Sequence, residues 1–137
     1  MNERPLILVV EDEYFLQADV VDTLTKGGFE AEAVYSGEEA LTLYLNGRPH
    51  RVLITDVRLS GGLNGWELAR RIREKDPSFP VIYLTASAVE EWTSEGVPNS
   101  ILMPKPFTTV RLISTLSRLL NANVEASASD RQRPLLD

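Results

Sequence analysis

The sequence predicts an α/β protein: a parallel sheet with helices on both faces. Three observations carry this. Short apolar runs rich in β-branched residues alternate with stretches of helical periodicity along the chain, the pattern of βα units and not of hairpins. The runs are nearly unbroken in their apolar residues, as in strands buried on two sides. Cap residues and glycines stand at several of the joints, where helices should start and stop.

Taken in order, Leu6–Val10 is the first strand. Phe15, Leu16, Val20 and Leu24 then recur at helical spacing as a buried face, and Gly27-Gly28 stops that helix. Ala31–Tyr35 is the second strand. Ser36 with Glu39 makes a capping box for a helix that buries Ala40, Leu41, Tyr44 and Leu45. Val52–Thr55 is the third strand. Asn64 caps a helix that turns Trp66, Leu68, Ala69 and Ile72 inward and Arg70, Arg71, Arg73 and Glu74 to water. Val81–Leu84 and Ile101–Met103 are the last two strands.

Between those two strands lies a segment that resists a full helix. Ala86–Ser100 carries Gly96 and Pro98, so one or two turns around Val89–Ser94 and then irregular chain are expected, with low local stability. Trp92 reads as a cover over the sheet. The final helix runs from about Thr108 to Asn121, with Val110, Leu112, Ile113, Leu116, Leu119 and Leu120 as its apolar side. One domain over residues 1–123 is followed by a polar stretch, 124–137, that reads as a disordered tail.

Composition excludes several functions. The chain has 137 residues and a net charge of −6, too acidic for sequence-independent nucleic-acid binding. It has no cysteine and a single histidine, His50, which removes disulfides, thiolate metal sites and histidine triads. His50 follows Pro49 and reads as a loop residue with no role. The first apolar run is too short for a signal peptide or a membrane span, so a cytoplasmic location is expected.

In an open parallel α/β sheet, ligands bind beyond the carboxyl ends of the strands. The first strand ends in Glu11-Asp12-Glu13, the third in Asp56, the fourth in Thr85-Ala86 and the fifth in Lys105-Pro106. Carboxylates gathered at one edge repel and raise one another's pKa unless a cation sits among them. Magnesium suits an all-oxygen donor set. One lysine does not neutralise these acids, so the edge is expected to take a metal and then an anion.

The motifs LVVEDE, LITD followed by a glycine-containing loop, LTA and PKPF stand in this order over roughly residues 5–122. Together they resemble the receiver domain of bacterial two-component response regulators. The resemblance implies a doubly wound, flavodoxin-like (βα)5 fold with strand order 2-1-3-4-5, here with a shortened fourth helix. It implies a phosphoacceptor at Asp56, charged by a histidine kinase or a histidine phosphotransfer protein. Magnesium would be held by Asp12, by Glu11 through water, by Asp56 and by the backbone carbonyl of Arg58. Thr85, Ala86 and Lys105 would bind the phosphoryl oxygens. Such a protein is not an enzyme beyond slow loss of its own phosphate. It signals by protein contact, including contact with a second copy of itself.

Several positions depart from the family pattern. The loop VRLSGGLNG is one residue longer than usual, and Ser60 stands where proline is common. Arg58, two residues after the acceptor, borders the phosphoryl site. Leu102 occupies the switch position that normally holds Tyr or Phe. These features resemble the stand-alone receivers of alphaproteobacteria. Two other functions compete. A magnesium-dependent phosphatase with an aspartyl nucleophile usually wants a second acid where Arg58 stands. A pseudo-receiver that never takes phosphate would have no use for the Asp56, Thr85 and Lys105 set.

Overall fold

A computed structural model describes residues 4–121 of the chain. The chain divides between Phe107 and Thr108 into two compact units. The first unit holds all five strands, β1 (Leu6–Val10), β2 (Glu30–Val34), β3 (His50–Asp56), β4 (Val81–Thr85) and β5 (Ile101–Pro104). Its helices are α1 (Tyr14–Lys26), α2 (Gly37–Leu45), α3 (Gly65–Lys75) and the single turn α4 (Trp92–Glu95). In the second unit a helix, α5, occupies residues 109–121. Its start is capped by the Thr108 hydroxyl, which accepts from the Arg111 amide at 3.1 Å. Val110, expected on the apolar side of that helix, is 78% exposed. The expected tail, 124–137, lies outside the described residues.

All strand pairs are parallel, in the order β2-β1-β3-β4-β5, as the resemblance implied. Side chains alternate between the two faces of each strand. Leu8, Val10, Leu53, Val81 and Tyr83 therefore share one face, and they are buried with Trp66, Leu68, Ala69 and Ile72 of α3. Ile7, Val9 and Ile54 point the other way and are equally buried. The register then fixes the edge that the sequence singled out. Val10 pairs with Thr55, Asp56 with Leu84, and Thr85 with Pro104, so Glu11, Asp56, Thr85 and Lys105 emerge on one rim.

The predicted caps form. Ser36 accepts from the Glu39 amide at 3.1 Å, and the Glu39 carboxylate reaches back to Ser36 Oγ and the Tyr35 amide. Asn64 Oδ1 accepts from Glu67 N at 2.9 Å. The face of α1 differs from expectation. Phe15 is 75% exposed and Leu16 is exposed too, whereas Gln17, Val20, Thr23 and Leu24 are buried. The physical reason is Gln17, whose amide donates to the carbonyls of Glu11 (3.2 Å) and Val34 (2.8 Å). Satisfying those two strand-end acceptors turns the helix so that the aromatic residues face out. On α2, Ala40 is buried but Leu45 is exposed.

His50 is not a loop residue. It opens β3, with its ring fully covered and Nε2 at 2.7 Å from Glu32 Oε1, while Arg48 holds the other Glu32 oxygen at 2.9 Å. The expected irregular segment is present, with α4 reduced to four residues, but it is well tethered. Trp92 Nε1 donates to Ser100 Oγ (3.0 Å), and Val97 N donates to the buried Tyr83 hydroxyl (3.1 Å). Arg70 donates to the Glu95 carbonyl, and Arg73 to those of Phe79 and Pro98. Those arginines were expected to be a wet face, and Arg70 and Arg71 are exposed, while Arg73 is half-buried. Arg70 and Arg73 also satisfy carbonyls that the irregular segment leaves open at Glu95 and Pro98.

Candidate functional site

Glu11, Asp12 and Asp56 each place a carboxylate oxygen within 4.8 Å of the others. Glu13, next in the acidic run, turns away: its carboxylate caps α1 by accepting from the Phe15 and Leu16 amides. The run therefore divides into two site acids and one structural cap.

Each site acid has its own orienting donor. Glu11 is only 2% exposed. Its Oε2 accepts from Glu13 N (3.1 Å) and its Oε1 from Lys105 Nζ (2.7 Å). Asp56 Oδ1 accepts from the adjacent Val57 N at 2.7 Å, and Oδ2 lies 3.3 Å from Lys105 Nζ. Asp12 Oδ2 accepts from both the amide (2.9 Å) and the hydroxyl (2.8 Å) of Ser60. Burial raises the Glu11 pKa, and the bonds from Lys105 and Glu13 only partly counter that. Burial alone would lower the Lys105 pKa, but the Glu11 bond and the charges of Asp56 and Glu11 outweigh it and hold the ammonium charged.

Thr85 sits across the rim, buried at the end of β4. Its hydroxyl oxygen accepts from Ser87 N (3.2 Å) and Ala88 N (3.0 Å). Lys105 N donates to the Thr85 carbonyl at 2.8 Å, which ties the lysine strand to the threonine strand. Ala86, the next residue, is exposed at the rim. The Arg58 side chain leans across the opening toward Ser87 Oγ (3.5 Å) and the Glu91 carboxylate (2.9 Å). Leu102 is half-buried and lies directly beside Tyr83 in the β4–β5 register. The aromatic ring missing from the switch position thus stands one strand over, against Trp66 with ring centroids 4.6 Å apart.

The fold brings Glu11, Asp12, Asp56, Thr85, Ala86 and Lys105 to one edge, while Glu13 turns away. Ser60 was noted only as a departure, and its two hydrogen bonds to Asp12 carried no signal in its own spacing. An oxygen-only donor set of this kind suits a hard cation. A carboxylate beside an ammonium, at the open end of a parallel sheet, suits an anion.

The family described as response regulator receiver domain matches residues 7–117. Relatives include the response regulator MprA of a Mycobacterium species, 32% identical over 116 residues, which are 83% of this chain and 50% of that protein. The phosphate regulon transcriptional regulatory protein PhoB of Rhizobium meliloti is 34% identical over 85% of this chain and 52% of its own. The chain thus spans about half the length of the curated relatives it matches. A response regulator receiver protein from Sinorhizobium medicae superposes with a TM-score of 0.84 at 42% identity, covering 88% of this chain and 97% of that one. A chemotaxis protein of Vibrio cholerae superposes with a TM-score of 0.77 at 29% identity, over 85% and 99% of the two chains.

Proposed function

The chain belongs to the response regulator receiver family, and from that premise we propose that Asp56 accepts a phosphoryl group from a phosphohistidine donor and that the charged protein signals by contact. The observation that carries this reading is the Asp56 carboxylate itself. It ends a buried strand, is oriented by Val57 N, and faces Lys105 and two further acids. In the transfer, an Asp56 oxygen bonds to phosphorus as the phosphorus–nitrogen bond of the donor breaks, and the imidazole leaves with that electron pair. Lys105 offers its charge to one phosphoryl oxygen, the Thr85 hydroxyl its hydrogen to another, and the Ala86 amide a third contact.

The acids fit a magnesium ion, which Asp12, Asp56 and the Arg58 carbonyl would hold, with Glu11 contributing through water. When bound, the ion offsets the charge on the transferring group. The donor is read as a histidine kinase or a histidine phosphotransfer protein. A cleft of about 360 Å³ beside Glu11 and Lys105, walled by Leu16, Val20 and Phe107, offers apolar surface next to the acceptor. Arg58, where a phosphatase would want an acid, is engaged with Glu91, which favours a phosphoacceptor over a hydrolase. Residues 1–123 form the receiver unit in this reading, and its location is the cytoplasm. Among the described residues, no helix is long and apolar enough to cross a membrane.

Incubation with acetyl phosphate and magnesium should add one phosphoryl mass to the intact protein, and Asp56→Asn should abolish it. Undiminished labelling of that variant would remove Asp56 from its role.

A further inference from the structure

We propose that Ser60 positions Asp12 for the cation, its two donors holding Oδ2 and leaving Oδ1 to the metal. This rests on the magnesium reading above. Both prongs come from one residue, 48 positions away in the chain, and converge on a single carboxylate oxygen at 2.9 and 2.8 Å. Glu11 is oriented by Glu13 N and Lys105, and Asp56 by Val57 N. Among the described residues, Ser60 supplies the only hydrogen bonds that orient Asp12. Losing a donor that sets the direction of a ligand typically costs about 10–100-fold in metal affinity.

The location strengthens the case. Ser60 lies two residues beyond Arg58, whose carbonyl belongs to the same expected ligand set. The clasp therefore ties the turn after β1 to the loop after β3, the two segments that must close on one ion. The loop does not simply trail after Asp12. Its far side is anchored separately, by Gly62 N donating to Glu38 Oε2 at 3.0 Å. A proline at position 60 would have neither an amide hydrogen nor a hydroxyl to offer. The serine thus supplies both halves of the contact.

Calorimetric titration of the full chain with magnesium chloride tests this, comparing wild type, Ser60→Ala, Ser60→Thr and Asp12→Asn. Removal of the hydroxyl in Ser60→Ala should weaken magnesium about 10-fold, and Ser60→Thr, which keeps both donors, should restore it. In acetyl phosphate labelling, the magnesium concentration for half-maximal rate should rise by the same factor, with the rate at saturating magnesium unchanged. Wild-type affinity in Ser60→Ala alongside lost binding in Asp12→Asn would overturn the proposal and leave the magnesium reading standing. Failure of threonine to restore affinity would also overturn it, because the hydroxyl would not be the agent. Absence of magnesium binding to the wild type would overturn both.

Discussion

Gly65 opens α3 against the backbone of Asp56 and Val57 at the end of β3, and replacing it with alanine puts that contact to the test. Its amide donates to the Val57 carbonyl at 2.8 Å. A Cβ at this point would fall on the Asp56 carbonyl oxygen, with the Asp56 carbonyl carbon and Val57 Cα each at 3.0 Å. No side chain stands among these atoms to swing aside, so strand and helix must part. Overpacking of this kind costs about 1–3 kcal/mol. The alanine regains a fraction of the roughly 1 kcal/mol that glycine forfeits inside a helix. A net loss of about 2 kcal/mol corresponds to a drop of about 8 °C in melting temperature for a chain of this size. Gly62 serves as the control, because a Cβ there meets only a carboxylate oxygen of the flexible Glu38, at 3.4 Å. Thermal melting in EDTA by circular dichroism should show Gly65→Ala well below wild type and Gly62→Ala within about 0.5 kcal/mol of it. Labelling of Gly65→Ala by acetyl phosphate should slow, since the displaced carbonyl belongs to the proposed acceptor residue. A Gly65→Ala protein melting with the wild type would refute the steric reasoning, and so would equal losses in the two variants.

Three further outcomes follow from the site and its surroundings. In EDTA, Lys105→Met should cost about 3 kcal/mol in urea unfolding, because buried Glu11 loses its cation, and adding Glu11→Gln should recover most of it; a double variant as weak as the single one would contradict this. Burial holds the Tyr83 phenol above its ordinary 10.0, only partly countered by Val97 N. A folded value above the unfolded one leaves stability intact below about pH 10 and erodes it as pH rises through the folded value. Urea midpoints should accordingly fall in that alkaline window, and Tyr83→Phe should shrink the fall, leaving the share due to Tyr44, which burial also raises. Amide exchange with magnesium and beryllofluoride should gain protection concentrated in residues 86–100, because Thr85 holds Ser87 N and Ala88 N through its own oxygen and carries them when drawn inward. Equal exchange in both states would mean that the signal leaves by another face.

The sequence showed the strands and caps because these rest on local patterns. Leu6–Val10 stands as predicted, and Ser36 and Asn64 cap the helices assigned to them. The rim residues were legible for a related reason: a strand that ends in a charged or hydroxyl residue announces its own register. What escaped was polar and long-range. Gln17 decides which face of α1 is buried by bonding the end of a strand that is 17 residues away, and no helical periodicity contains that partner. Phe15 and Leu16 were accordingly placed inside. His50 looked like loop because Pro49 precedes it, yet it pairs with Leu6 of β1 and bonds Glu32 of β2, one strand further on. Arg73 resembled any exposed arginine until Phe79 and Pro98 turned carbonyls toward it.

The strand order leaves β2 and β5 at the margins of the sheet, which bears on self-association. An outer strand with free amides and carbonyls is a template for another chain. Here β2 reads Glu30-Ala31-Glu32-Ala33-Val34 and carries a carboxylate at every second position at its start. The opposite margin, β5, is four residues long and closes on Pro104, which has no amide to lend. Neither border invites an added strand, so amyloid-like stacking from the native fold is disfavoured at both ends. Two copies that meet would meet through helices or loops.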